Sequence, residues 1–99
     1  MIVKKHKNHQ GQIVLAICDE SLLGKKIEEN NLILDLSSNY YKGDKKSDQD
    51  LLELIKEAYI LNLVGEKSTE FALKNNFINK NNIKKINKIP FAECIFLRD

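Results

Sequence analysis

Four groups of residues in this chain are of types that do chemistry. His6 and His9 stand in a His-x-x-His spacing. Two imidazoles three apart can share a metal on a helix. Ile2 to His6, however, alternates as a strand leaving into a turn, and positions three apart on a strand point to opposite faces. Zinc also takes a third and a fourth ligand, which only Cys18 and Cys94 could add. No metal and no cofactor is expected. Cys18-Asp19-Glu20 places a thiol and two carboxylates at the carboxyl end of an apolar run, where catalytic groups often sit in α/β folds. A nucleophilic thiol needs a neighbouring base or a positive field. The two histidines are one strand away and no third member is identifiable. The bland expectation is a buried thiol followed by a helix-capping Asp19.

Asn62 is the single polar residue in Ile60-Leu61-Asn62-Leu63-Val64. Once buried it must find a hydrogen-bond partner, either a neighbouring loop backbone or a ligand. Gly65-Glu66-Lys67-Ser68 follows and opens a helix. It lacks both Gly-x-x-x-x-Gly-Lys-Ser/Thr and Gly-x-Gly-x-x-Gly, so no nucleotide-binding loop is read. A helix N-terminus still attracts a simple anion, with Glu66 opposing it. The fourth group is Lys80, Lys84, Lys85 and Lys88 with Phe77 and Phe91, the lysine-plus-aromatic mix used for nucleic acid. Tyr40-Tyr41-Lys42 is a smaller version of it. From Phe71 to Ala92 there are five lysines and no acidic residue. Against a functional reading, fifteen lysines to one arginine is the usage of an A/T-rich genome, and the aromatics fit a core.

The elements that must position these residues follow from periodicity. Gln12 to Cys18 and Ile60 to Val64 are apolar runs that suit strands buried on both faces. Ile2 to His6 is an outer strand, paired with Gln12 to Cys18 as a hairpin. Asp19 to Glu29 supports one short helix or a turn, interrupted at Gly24. Leu32 to Leu36 reads as a strand and Ser37 to Lys46 as a polar loop. Leu51, Leu52, Leu54, Ile55, Ala58 and Tyr59 recur at three- and four-residue spacing, so 47–59 is a helix capped by Ser47 or Asp48. A second helix runs from Lys67 to about Lys74 and ends at Asn75-Asn76. Two last strands, 83–86 and 91–97, flank Pro90, which cannot donate to a sheet ladder and marks a break or bulge.

These elements make one α/β domain over residues 1–99, with a mixed sheet of about five to six strands and two main helices. A βαβ unit is expected from strand 32–36, helix 47–59 and strand 60–64. The size suits one modest core without disulfides. Cys18 and Cys94 are read as buried free thiols of a reducing compartment. No apolar run approaches the roughly 20 residues that span a bilayer, and no secretory signal is read at the start. The protein is expected to be cytoplasmic. Its net charge of +2 is too small to argue for nucleic acid by itself.

Two phrases, Cys18-Asp19-Glu20-Ser21-Leu22-Leu23-Gly24-Lys25 and Ile60-Leu61-Asn62-Leu63-Val64-Gly65-Glu66, with Ile89-Pro90 near the end, resemble a small archaeal family, domain of unknown function 424. The resemblance covers essentially the whole chain. It implies a compact cytosolic protein and no established activity. It also implies a histidine after the Ile-Pro pair, where this chain has Phe91. It directs attention to Cys18, Asp19, Glu20, Gly24, Lys25, Asn62, Gly65, Glu66 and Pro90 without assigning them roles.

Two functions are therefore in view. One is a non-catalytic binding module for RNA or a translation-related ribonucleoprotein assembly, with Lys80, Lys84, Lys85 and Lys88 on the nucleic acid. The other is a small enzyme or ligand-binding protein. In it the Cys18–Lys25 turn packs beside the Asn62–Glu66 turn, Gly24 and Gly65 allow close approach, and Lys25 pairs with Glu66. If the two central strands run parallel, both turns emerge on one edge of the sheet. The sequence leaves the oligomeric state open.

Overall fold

The structure is a computed structural model that describes residues 1–97. In chain order its strands are β1 (Ile2–Lys7), β2 (Ile13–Cys18), β3 (Lys26–Glu29), β4 (Leu32–Asp35), β5 (Asp44–Lys45), β6 (Ala58–Val64), β7 (Lys84–Ile86) and β8 (Ile89–Ile95). The helices are α1 (Asp48–Ile55) and α2 (Glu66–Lys74), and short 3-10 turns cover 20–22, 39–41 and 80–82.

A mixed six-stranded sheet has the order β5-β1-β2-β6-β8-β7, and β3 and β4 form a separate two-stranded hairpin. The two most apolar strands, β2 and β6, lie side by side at its centre and run parallel. Leu15, Ala16, Ile17 and Cys18 are all fully buried, as a strand covered on both faces requires. On one face Leu15, Ile17, Leu61 and Leu63 pack under both helices, against Leu51 and Ile55 of α1 and Phe71 and Ala72 of α2. On the other face Ala16, Cys18 and Val64 pack with Ile27 of β3, Leu36 and Tyr41.

The βαβ unit is therefore β2, α1 and β6. Strand 32–36 is not its first strand, because β4 turns back on β3 through Asn30, whose φ is 55°. The Lys26-Ile27-Glu28-Glu29 stretch has one buried residue, Ile27, so its strand period is hidden in sequence. Two further boundaries move. Helix α1 is capped by Ser47, whose Oγ accepts from Asp50 N at 3.1 Å, but it ends at Ile55 because Ala58 and Tyr59 already belong to β6. Pro90 lies inside β8 rather than at a break. It stands one position beyond the last β6–β8 pair, Val64↔Phe91, so the ladder needs only its carbonyl, which accepts from Gly65 N at 2.8 Å. Helix α2 closes on a left-handed Asn76, φ 61°, with Phe77 N donating to Ala72 O and Asn76 N to Leu73 O.

Candidate functional site

Parallel pairing puts Cys18 beside Val64, and Asp19 N continues the ladder to Val64 O at 3.0 Å. The two glycine-bearing turns thus leave the sheet at the same end. What fills the space between them is a side chain of the protein itself. Asp19 is 7% exposed. Its Oδ2 accepts from Lys67 N at 3.0 Å, and its Oδ1 accepts from Ser68 N and Ser68 Oγ, both at 2.8 Å. The carboxylate sits where the free N–H groups and the dipole of α2 favour an anion. Gly65 permits this arrangement: its φ is 110°, and a Cβ there would collide with the Asp19 carboxylate. The helix that Asp19 caps is α2, 48 positions downstream, and not the turn that follows it.

Cys18 is fully buried beneath this junction. Burial pushes its thiol up to about 11, the Asp19 charge adds to the rise, and the N-terminal ammonium offsets a little of it. At neutral pH it is a protonated core side chain rather than a nucleophile.

The other predicted residues disperse. Glu20 is exposed and pairs with Lys45 at 3.3 Å. Gly24, φ 88°, donates to Leu36 O, and Lys25 O accepts from Leu36 N, so both belong to the base of the β3–β4 hairpin. Lys25 and Glu66 form no ion pair among the described residues, because the hairpin carries Lys25 away from α2. A hollow of about 440 Å³ lies beside the junction, lined by Met1, Asp19, Glu20, Ser21, Lys45 and Lys67. Of the predicted residues only Asp19 and Glu20 reach it, and Asp19 and Glu20 are already paired. Asn62 projects on the hairpin face of the sheet, and its partner is a side chain, with Nδ2 donating to Tyr40 Oη at 2.7 Å. Tyr40 in turn stacks on His6, centroids 4.3 Å apart, and His6 Nε2 lies 2.9 Å from Tyr40 O. His9 is exposed. Among the described residues no three His, Cys, Asp or Glu side chains are gathered to hold a metal.

The lysines fall into two sets. Lys80, Lys84, Lys85 and Lys88 are all exposed, but they do not share a face. Lys84 pairs with Phe91 and Lys85 with Pro90, so consecutive lysines of the edge strand β7 point to opposite sides of the sheet. The denser set is at the other edge. Lys4 and Lys5 of β1, which leave the strand on opposite faces, line with Lys42 and Lys46 a concavity of about 310 Å³, with Asp44 the one acidic residue in its lining. Pairing of β5 with Ile2 and Val3 creates this cleft. Gly43 lies so close to β1 that a Cβ would strike the backbone of Val3 and Lys4. Part of this set shows in sequence, as the doublet Lys4-Lys5 and as Lys42 and Lys46 four positions apart. What was missing was the pairing that joins them.

A third feature is a groove of about 380 Å³ on the hairpin face of the sheet. Its lining includes Tyr41, Asn62, Asn82, Lys84, Phe91 and Glu93.

No helix among the described residues is long and apolar enough to cross a membrane. The fold is similar to that of an uncharacterized conserved protein from Methanopyrus kandleri known from a crystal structure. The TM-score is 0.80 over 99% of this chain and 93% of that one, at 21% identity. No curated protein matches the chain. Residues 6–97 match the family described as protein of unknown function, DUF424. A match over that span includes both glycine turns, the junction built on Asp19 and strand β8, and the chain belongs to the DUF424 family.

Proposed function

We propose that this protein is a non-catalytic cytoplasmic module that binds single-stranded RNA, alone or within a ribonucleoprotein assembly. The observation that carries this reading is the cleft whose lining holds Lys4, Lys5, Lys42 and Lys46 and one acidic residue, Asp44. Lysines on β1 also discourage edge-to-edge pairing of sheets. That explanation does not extend to Lys42 and Lys46, which a loop brings in from outside the strand. Four lysines against one aspartate in this lining are a local excess of positive charge that a net charge of +2 conceals, although Lys4 and Lys5 leave β1 on opposite faces. Phosphate oxygens of a flexible strand are its natural complement. A catalytic reading has less support, because the thiol is buried and protonated and Asp19 is used in capping α2.

The test is fluorescence anisotropy of labelled single-stranded RNA of unrelated sequences at increasing salt. Affinity should fall with salt in every sequence. The double variant Lys5→Glu/Lys42→Glu should bind more weakly and lower the slope of log K against log salt by roughly 0.7 per lost phosphate contact. Absence of binding at low salt, or an unchanged slope in the variant, would remove the reading.

A further inference from the structure

The groove on the hairpin face has a composition unlike that of the lysine cleft, and it points to a different part of the same ligand. We propose that it seats an unpaired guanine base, an inference that rests on the RNA reading above. Asn62 on β6 and Glu93 on β8 are directly paired in register, as are Val64 and Phe91 in the next row on the same face, and Lys84 of β7 stands beside Phe91. The groove therefore presents a half-buried aromatic ring with a carboxylate on one side and an ammonium on the other. Cross-strand neighbours of this kind are about 5 Å apart and diagonal ones about 7–8 Å, a spacing a purine can bridge.

The hydrogen-bonding groups left over set the choice of base. Among the described residues neither Lys84 nor Glu93 is in an ion pair. Asn62 gives one N–H to Tyr40 Oη, which leaves a second N–H and its carbonyl oxygen. Asn82 uses its Oδ1 to accept from Asn79 N at 2.8 Å, which leaves its NH₂ as a donor. Guanine is the base whose Watson–Crick edge offers two adjacent donors, N1–H and N2–H₂, to a carboxylate such as Glu93, with O6 beside them to accept from an amide N–H. Adenine would set its N1 lone pair against that carboxylate. Stacking on Phe91 suits any base and adds no selectivity. Lys84 balances the phosphate. The groove's volume lies in the range of small-ligand sites.

Backbone amide NMR of the whole protein tests this, with guanosine and adenosine monophosphates as probes alongside two short RNAs, one with a single guanine and one of uridine only. Guanosine monophosphate should shift the amides of Asn62, Phe91 and Glu93, with about tenfold preference over its adenosine counterpart, the discrimination one bidentate pair supplies. Glu93→Gln should remove the preference with unchanged thermal stability, since the side chain is exposed. The seat is overturned if the groove is silent to the nucleotide and to the guanine-containing RNA, if both nucleotides act alike, or if Glu93→Gln keeps the preference. Salt-sensitive binding of both RNAs with a silent groove eliminates the guanine seat and leaves the RNA reading standing. Failure of both RNAs to bind at all eliminates both.

Discussion

At the carboxyl ends of β2 and β6 one carboxylate meets one helix N-terminus, and each satisfies the other. Asp19 makes three hydrogen bonds there and is nearly inaccessible. At the β1–β5 edge four lysines and one aspartate line an open cleft. The first region has the geometry of a ligand site in an open α/β sheet, a crevice between parallel strands at a helix N-terminus. It is filled from within. The second has no motif at all, yet none of its four lysines is in an ion pair among the described residues. The residues that look most like a signature, Cys18-Asp19 and Gly65-Glu66, hold the sheet to the helix. The residues to which the proposed RNA reading assigns binding are scattered lysines that the fold collects.

That contrast can be broken most severely at Gly65. Gly65→Val puts a β-branched side chain at φ 110° and onto the Asp19 carboxylate. It should cost about 3 kcal/mol or more, read by denaturant unfolding. A variant of near wild-type stability would show that the junction is loose. Next comes Asp19→Ala, which leaves the first N–H groups of α2 and Ser68 Oγ without an acceptor. A loss of about 2–3 kcal/mol is expected. The double variant with Ser68→Ala should lose less than the sum of the single changes.

A smaller effect sharpens the comparison through Cys18. Its thiol pKa rises from 9.0 to about 11 on folding, so the folded state holds the proton more tightly. Below pH 9 both states are protonated and the full contribution is present. Between pH 9 and about 11 the unfolded chain ionises first, so stability falls as pH rises. Cys18→Ala should make that part of the curve shallower, the buried Tyr41 hydroxyl, pushed up to about 12, supplying the slope that stays, and the folded wild type should resist alkylation at pH 8. Rapid alkylation there would contradict burial of the thiol. The smallest effect belongs to the other region. Lys5→Glu/Lys42→Glu should change stability by no more than about 0.5 kcal/mol, because neither lysine is in an ion pair among the described residues.

How much of this could be read in advance depended on how strongly each segment was constrained. Residues 13–18 and 60–64 read as central strands because, Asn62 apart, both of their faces are apolar. The α1 positions Leu51 and Ile55, four apart, likewise admitted one reading. Lys26–Glu29 hid its strand because Ile27 is its one buried position, and β5 has only two residues. Missing β5 meant missing the lysine cleft, which exists only because Asp44 and Lys45 pair with Val3 and Ile2. The separation of Lys84 from Lys85 followed from the pleat as soon as the segment was read as a strand, and a single lysine face there was ruled out by the same assignment. The capping role of Asp19 was read correctly, but the helix was not, because a cap and its helix separated by 48 positions leave no local trace.

The bond between Asp19 and Ser68 joins residues 49 positions apart, and this sets a clock during synthesis. At ribosomal rates of about 5–20 residues per second, roughly 2–10 s pass between the emergence of its two ends. For most of that interval the β1–β2 hairpin is complete while β2 still lacks its parallel neighbour, β6, which follows only at residues 58–64. A flat apolar strand waiting in that state is a template for other nascent chains. The lysines of β1 lie directly beside it. Lys4, Lys5 and Lys7 pair with Ala16, Leu15 and Ile13 and so place charge along the apolar strand, the kind of residue that discourages pairing between neighbouring chains.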